Sequence, residues 1–241
     1  TCLFANDFDP KKAESYKANW GSADLRVEDV ALLSTFDLPE EADMVWASFP
    51  CQDLSLAGNG AGLKGSRSGT FWPFWKLIKS LKSEGRQPKI VVLENVCGLL
   101  TSHGGDDFRL LCQQVSNSGY RFGAITVDAA HFVPQSRPRL FVIGVREDLT
   151  FEGADHPTTD WHSARLIEAA RALSEPLKMR WIWFRLPSPP LRNHRLADLL
   201  EPDDGLSNWH TDDHTQLLCS MMSEANRRKL DMALSSRGRH I

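Results

Sequence analysis

The 241-residue sequence has no Cys-x-x-Cys pair and no zinc-like spacing among its five cysteines, Cys2, Cys51, Cys97, Cys112 and Cys219. That argues against a structural zinc site and a disulfide framework, and a scattered, odd set reads as reduced thiols in a cytosolic compartment. No apolar run is long enough to span a bilayer, and residues 1–20 carry no secretory signal pattern, so no membrane partner is expected. Net charge is small, −3, and gives no hint of a polyanionic partner, although local basic patches coexist with a neutral total. Also missing is the glycine-rich strand–turn–helix with which a nucleoside-binding sheet normally opens. Hydrophobic content of 41% and charged content of 24% leave an ordinary globular chain, one large domain or one domain plus a partial second. There are no internal repeats.

The chain is organised around Asp43-Met44-Val45-Trp46-Ala47-Ser48-Phe49-Pro50-Cys51-Gln52, a short apolar strand that stops at a proline and presents a cysteine on the loop beyond. Lys89-Ile90-Val91-Val92-Leu93-Glu94-Asn95-Val96 repeats the design with a carboxylate in place of the thiol. Two neighbouring parallel strands built this way put Cys51 and Glu94 in one crevice, where open α/β sheets bind ligands. A thiol and a carboxylate so placed suggest covalent chemistry on a nucleobase.

In chain order, residues 1–8 read as the end of a strand, and an amphipathic helix follows over about Pro10–Asn19 with Gly21 as its stop. Residues 24–33 give a short strand and loop around Asp29-Val30. Gly58 to Gly69 is a long glycine-rich loop, suited to a mobile active-site element. Helices are predicted over Phe71–Ser83 and from Asp107 to Ser116, and strands over Phe122–Asp128 and Leu140–Val145, the last two closing as a hairpin-like edge. This is an α/β sheet. After Arg146 the alternation dissolves into a helix expected at Ser163–Leu173, a proline-rich passage at 186–190 and a helix from Met221 to Leu234. His210 and His214 have metal-like spacing but read as a solvated loop, so no metal is expected. Trp46, Trp72, Trp75, Trp181 and Trp183 sit in apolar stretches and are most simply core.

Phe49-Pro50-Cys51-Gln52, Glu94-Asn95-Val96 and Gln135-Ser136-Arg137-Pro138-Arg139, in that order, resemble three signature motifs of the cytosine-5 DNA methyltransferases. Asn6-Asp7-Phe8-Asp9 and Arg67-Ser68-Gly69-Thr70-Phe71 add supporting matches. The likeness covers residues 1–146, with residues 186–201 similar to the lead-in to a target-recognition region. It implies a Rossmann-like S-adenosylmethionine-dependent methyltransferase sheet with helices on both faces, truncated at the first strand. The expected division is a catalytic domain over 1–146 and an irregular, helical lead-in over 147–241. The glycine-rich cofactor turn, the recognition region and the carboxyl-terminal cofactor segment of the family are not found in this sequence.

The resemblance implies methyl transfer from S-adenosylmethionine to carbon-5 of cytosine in double-stranded DNA, leaving S-adenosylhomocysteine. Cys51 would attack carbon-6, against its bland reading as a small buried hydrophobe. Glu94 would meet ring nitrogen-3, against a plain helix-capping role. Arg137 and Arg139, alternating on one strand, would face the base and Glu94 or phosphate, against a solvated edge. Asp7, Phe8, Asp29, Val30, Pro50 and Phe71 would hold the cofactor, Asp7 and Asp29 otherwise being turn residues. Gln52, Ser55, Lys64, Arg67, Asn95 and Gln135 would meet substrate, with Asn95 more suited to bracing the loop behind Pro50. The expected setting is the bacterial cytoplasm, at the nucleoid, in a restriction–modification or orphan role. The alternatives are an RNA cytosine methyltransferase, or a silent or split-enzyme subunit that works with a complementary chain.

Overall fold

The computed structural model describes residues 1–49, 70–192, 194–199 and 210–235. The chain divides into two units, residues 1–132 with 136–191, and residues 133–135 with 192–241.

The first unit begins with β1 (Ala5–Asn6), which pairs in parallel with β2 (Leu25–Arg26) as a separate two-stranded sheet. Between them runs α1 (Pro10–Trp20), where the Asp9 carboxylate accepts the Lys11 N–H and Pro10 takes the first position. Of the short strand and loop expected over residues 24–33, the strand is Leu25–Arg26 and the loop at Asp29-Val30 is a tight 3-10 turn, Val30–Leu32. Its cause is local: the Asp29 carboxylate accepts the Ala31 N–H at 2.9 Å, and a side chain that caps a turn competes with strand pairing.

The main sheet holds β3 (Met44–Ser48), β4 (Ile90–Val96), β5 (Tyr120–Asp128) and β6 (Pro138–Arg146), in the order β3-β4-β6-β5. β3 and β4 are parallel; β6 is antiparallel to both its neighbours. The hairpin expected from the sequence therefore sends its second strand into the sheet, leaving β5 at the edge. That edge is covered: Phe122 N–H donates to the Arg180 carbonyl at 2.9 Å, and Ile182 N–H to the Phe122 carbonyl at 2.7 Å. Gly123 makes this approach possible, because a Cβ there would lie 1.9 Å from the Ile182 carbonyl oxygen.

One face of the sheet is packed by α2 (Phe71–Ser83) and α3 (Asp106–Asn117). Phe71, Trp75, Ile78 and Leu81 fall on one stripe of α2 and are buried against Val91, Leu93, Leu140 and Val142. Each such side chain contributes about 1.5–3 kcal/mol through burial. α4 (Ala164–Arg171) adds Leu166 to the same cluster, and the one-turn α5 (Glu175–Lys178) follows it. On the other face Ile125, Val145, Trp161, Ile182 and Phe184 form a smaller cluster. Arg86, just past α2, ties the approach to β3: Nε donates to the Glu40 carbonyl at 3.0 Å, and Nη2 to those of Leu38 and Pro39 at 3.0 and 2.8 Å.

Two tryptophans depart from the core expectation. Trp46 is 56% exposed on the outward side of edge strand β3, and Trp72 is 37% exposed, whereas Trp75 is buried. Alternation explains Trp46, since Val45 and Ala47 take the inward positions.

The second unit holds α6 (Asp212–Ser220) and α7 (Glu224–Ser235). The stretch read as a loop from His210 to His214 is the start of α6. Thr211 caps it by accepting the His214 N–H, and Asp212 and Asp213 complement the helix dipole. The helix expected from Met221 begins at Glu224. Among the described residues no helix is long and apolar enough to cross a membrane.

Candidate active site

Parallel pairing sets the level of the site. Ser48 stands opposite Glu94, so the chain leaves β3 beside Glu94 and Asn95. Pro50, Cys51, Gln52, Ser55, Lys64 and Arg67 lie outside the described residues. Across β4, Val96 faces Arg139 and Glu94 faces Phe141, which makes Glu94 and Arg139 diagonal neighbours on one face. Their side chains meet: Arg139 Nε lies 3.0 Å from Glu94 Oε1, each side chain 21% exposed. Arg139 Nη1 also donates to the Pro138 carbonyl at 2.8 Å, which pins the guanidinium to its own backbone. The same face carries Trp46 and Phe141, edge to face with centroids 5.4 Å apart.

Asn95 points the other way and is buried. Its Oδ1 accepts the Val96 N–H at 2.9 Å, while Nδ2 finds no acceptor among the described residues.

Arg137 and Arg139 do not share a strand, contrary to their alternation in sequence. β6 starts at Pro138, and Arg137 sits exposed just before it, its N–H donating to Asp128 Oδ1 at 2.7 Å. Asp128, at the end of β5, also accepts the Ala130 N–H at 3.0 Å and the Ser136 hydroxyl at 2.9 Å. The Ala130 and Arg137 N–H groups hold its carboxyl below the usual carboxylate range. Sequence reasoning passed over Asp128, although an Asp at a strand end followed by a tight turn is the usual signal of such a cap. Gln135 belongs to the second unit, where its N–H donates to the Val133 carbonyl at 2.7 Å.

The residues expected around the cofactor follow β1 and β2. Asp7 Oδ1 accepts the Asp9 N–H at 2.9 Å, and its Oδ2 lies 3.7 Å from Lys12 Nζ with the side chain 35% exposed. Phe8 is exposed. Asp29 and Val30 form the turn described above. Phe71 is fully buried, its ring 5.3 Å from Phe49 and 5.6 Å from Trp75.

Among the described cysteines, Cys97 follows β4 directly. Burial pushes its thiol up, an effect that Arg139 and, more weakly, Arg165 oppose. Burial pushes the Cys112 thiol up as well. Neither is a thiolate near neutral pH. No group of three His, Cys, Asp or Glu suited to a metal occurs among the described residues.

A mixed sheet whose parallel pair offers a carboxylate, clasped by arginine, at its carboxyl end defines the class of the fold and site. The family model described as C-5 cytosine-specific DNA methylase matches residues 1–236, and the chain belongs to that family. It is 31% identical over 157 residues to the type II methyltransferase M.BsuFI of Bacillus subtilis, covering 65% of this chain and 36% of that protein. It is 30% identical over 200 residues to the orphan methyltransferase M.SPRI of Bacillus phage SPR, covering 83% of this chain and 44% of the relative. The chain thus spans less than half the length of either. In fold it is similar to Spodoptera frugiperda DNMT2, with a TM-score of 0.56, 19% identity, and coverage of 83% of this chain and 52% of that one.

Proposed function

We propose that this chain carries the chemistry of a DNA cytosine-5 methyltransferase, of the kind found in restriction–modification systems or as orphans, over residues 1–146. The observation that supports it most is the Glu94–Arg139 pair at the carboxyl end of β4, level with the end of the strand leading to Phe49-Pro50-Cys51.

Cytosine carbon-5 is too weak a nucleophile to take a methyl group unaided. In this reading the Cys51 thiolate adds to carbon-6, which breaks the ring's aromaticity and makes carbon-5 enamine-like. Glu94 meets ring nitrogen-3 and offsets the charge that arrives on the ring, and Arg139 orients the Glu94 carboxyl. Arg137 holds the base carbonyl or a phosphate. Asn95 turns its amide toward the backbone that follows Phe49, because a buried donor left unmet costs about 1–3 kcal/mol. The reacting atom lies within the base stack, so the cytosine must swing out of the duplex. Gln52, Ser55 and Gln135 then contact the DNA, and Lys64 and Arg67 meet its phosphates.

The chemistry of the donor set fits S-adenosylmethionine. Asp7 keeps a partly exposed carboxylate oxygen for ribose hydroxyls and Phe8 an exposed ring for adenine, with Asp29 and Val30 on the turn that follows β2. In this reading Pro50 and Phe71 complete the cofactor site. When bound, the cofactor supplies the electrophilic methyl group.

The test is transfer of label from methyl-tritiated S-adenosylmethionine to duplex DNA or to RNA, using the full chain and its Glu94→Gln variant. Label in DNA, lost about 100-fold or more in the variant, supports the reading. Label in RNA alone makes RNA the substrate. No label from the full chain, restored only by a complementary polypeptide, makes it one part of a split enzyme.

A further inference from the structure

We infer that Asp128 is a positioning residue that sets where Arg139 meets Glu94, an inference that rests on the role proposed for that pair. β5 and β6 pair in register up to Asp128 opposite Pro138. Proline has no N–H, so the last rung of this ladder lacks a donor on the β6 side. The neighbouring backbone bond, from Ala129 N–H to the Arg137 carbonyl, is long at 3.4 Å. Backbone pairing alone therefore holds the start of β6 weakly.

The Asp128 carboxylate replaces the missing rung. Oδ1 accepts the Arg137 N–H at 2.7 Å from the far side of the connection and the Ala130 N–H at 3.0 Å from the near side. Oδ2 accepts the Ser136 hydroxyl at 2.9 Å. Both ends of the 129–137 connection thus converge on one side chain. Two residues past Arg137 comes Arg139, whose Nη1 is bound to the Pro138 carbonyl while Nε reaches Glu94 Oε1 at 3.0 Å. The guanidinium is fixed to backbone whose place Asp128 decides. A shift of about 1 Å at a reacting centre is enough to lower a rate about 100-fold.

Asparagine separates geometry from charge. Its carbonyl oxygen can still accept both N–H groups, and its amide can donate to the Ser136 oxygen once that hydroxyl rotates. The experiment compares Asp128→Ala, Asp128→Asn and wild type by two readouts: the NMR signal of the Arg139 Nε–H, assigned with Arg139→Lys, and steady-state methyl transfer. The expected result is a sharp signal in wild type and Asp128→Asn that is lost in Asp128→Ala. With it go a kcat lower by about 100-fold in the alanine variant only and a KM for S-adenosylmethionine within about threefold throughout. Asp128→Ser, which can reach only one of the two N–H groups, should fall between and serves where alanine unfolds the chain. An Arg139 signal unchanged in Asp128→Ala overturns the inference, as does an asparagine variant no better than alanine or a loss confined to KM. A wild type that transfers no methyl while the Arg139 signal still follows Asp128 defeats the methyltransferase reading and leaves the positioning itself upheld.

Discussion

Removing the Arg139 guanidinium leaves the Glu94 carboxylate, only 21% exposed, without its cation. At the observed 3.0 Å the bare attraction is about 5 kcal/mol for an effective dielectric near 20. Taking two charges partly out of water offsets most of that, and the net worth of a charge-assisted hydrogen bond is about 1.5–3 kcal/mol. The residual exposure of both partners trims it further, so the expected coupling is about 1–2 kcal/mol. A double-mutant cycle in urea with Glu94→Ala, Arg139→Ala and the double variant measures it directly. The double variant should be little less stable than the worse single one, because each single change already removes the pair. Coupling should survive half-molar salt in large part, since a half-enclosed pair is poorly screened. Single changes that add to within about 0.3–0.5 kcal/mol would refute the pair as an energetic unit.

Gly123→Ala should destabilise the fold by about 2–4 kcal/mol, since the new methyl meets the Ile182 carbonyl and pushes residues 180–184 off the β5 edge; a melting temperature within about 2 °C of wild type contradicts this. Arg86→Lys keeps the charge but not the fork that spans the carbonyls of Thr35, Leu38, Pro39 and Glu40, and should lower stability by about 1–3 kcal/mol in urea titration, with no change expected only if that clasp is idle. His162 is buried, its Nδ1 accepts the Thr158 N–H at 2.9 Å, and desolvation holds the imidazole below its ordinary 6.5. The unfolded chain therefore takes the proton first: the stability contribution is complete above about pH 6.5 and is lost as pH falls through 6.5 toward the folded-state value. Melting curves between pH 7.5 and 5 should show that decline in wild type and a flatter one in His162→Phe; parallel curves would contradict it.

The carboxyl ends of β3 and β4 were legible because each apolar run stops at a residue that cannot continue it quietly, Pro50 in one case and the Glu94-Asn95 pair in the other. Periodicity also placed α1 and α2 closely, since the Asp9 cap, Pro10 and the Phe71–Leu81 stripe act locally. What could not be read was order across the sheet. Nothing in the composition of Leu140–Val145 says that β6 enters between β4 and β5, because that depends on pairing with residues far away in sequence. Arg137 was misplaced by the same limit: alternation suggests a strand, but Pro138 starts it and Asp128 captures the Arg137 N–H from across the connection. At His210–His214 polarity suggested a loop, whereas a Thr cap followed by two aspartates is equally the start of a helix. Asp29 marks the end of the short strand before it, its side chain bonding its own backbone and turning the chain.

The most direct measurement offers the full chain a DNA duplex carrying 5-fluorocytosine together with S-adenosylmethionine, then resolves the products on a denaturing gel. Fluorine at carbon-5 blocks the proton loss that would release the enzyme, so a thiol that has added to carbon-6 stays attached. The account predicts a protein–DNA band with wild type and none with Cys51→Ser. Wild type that forms no such band, or a Cys51→Ser variant that still does, would contradict it.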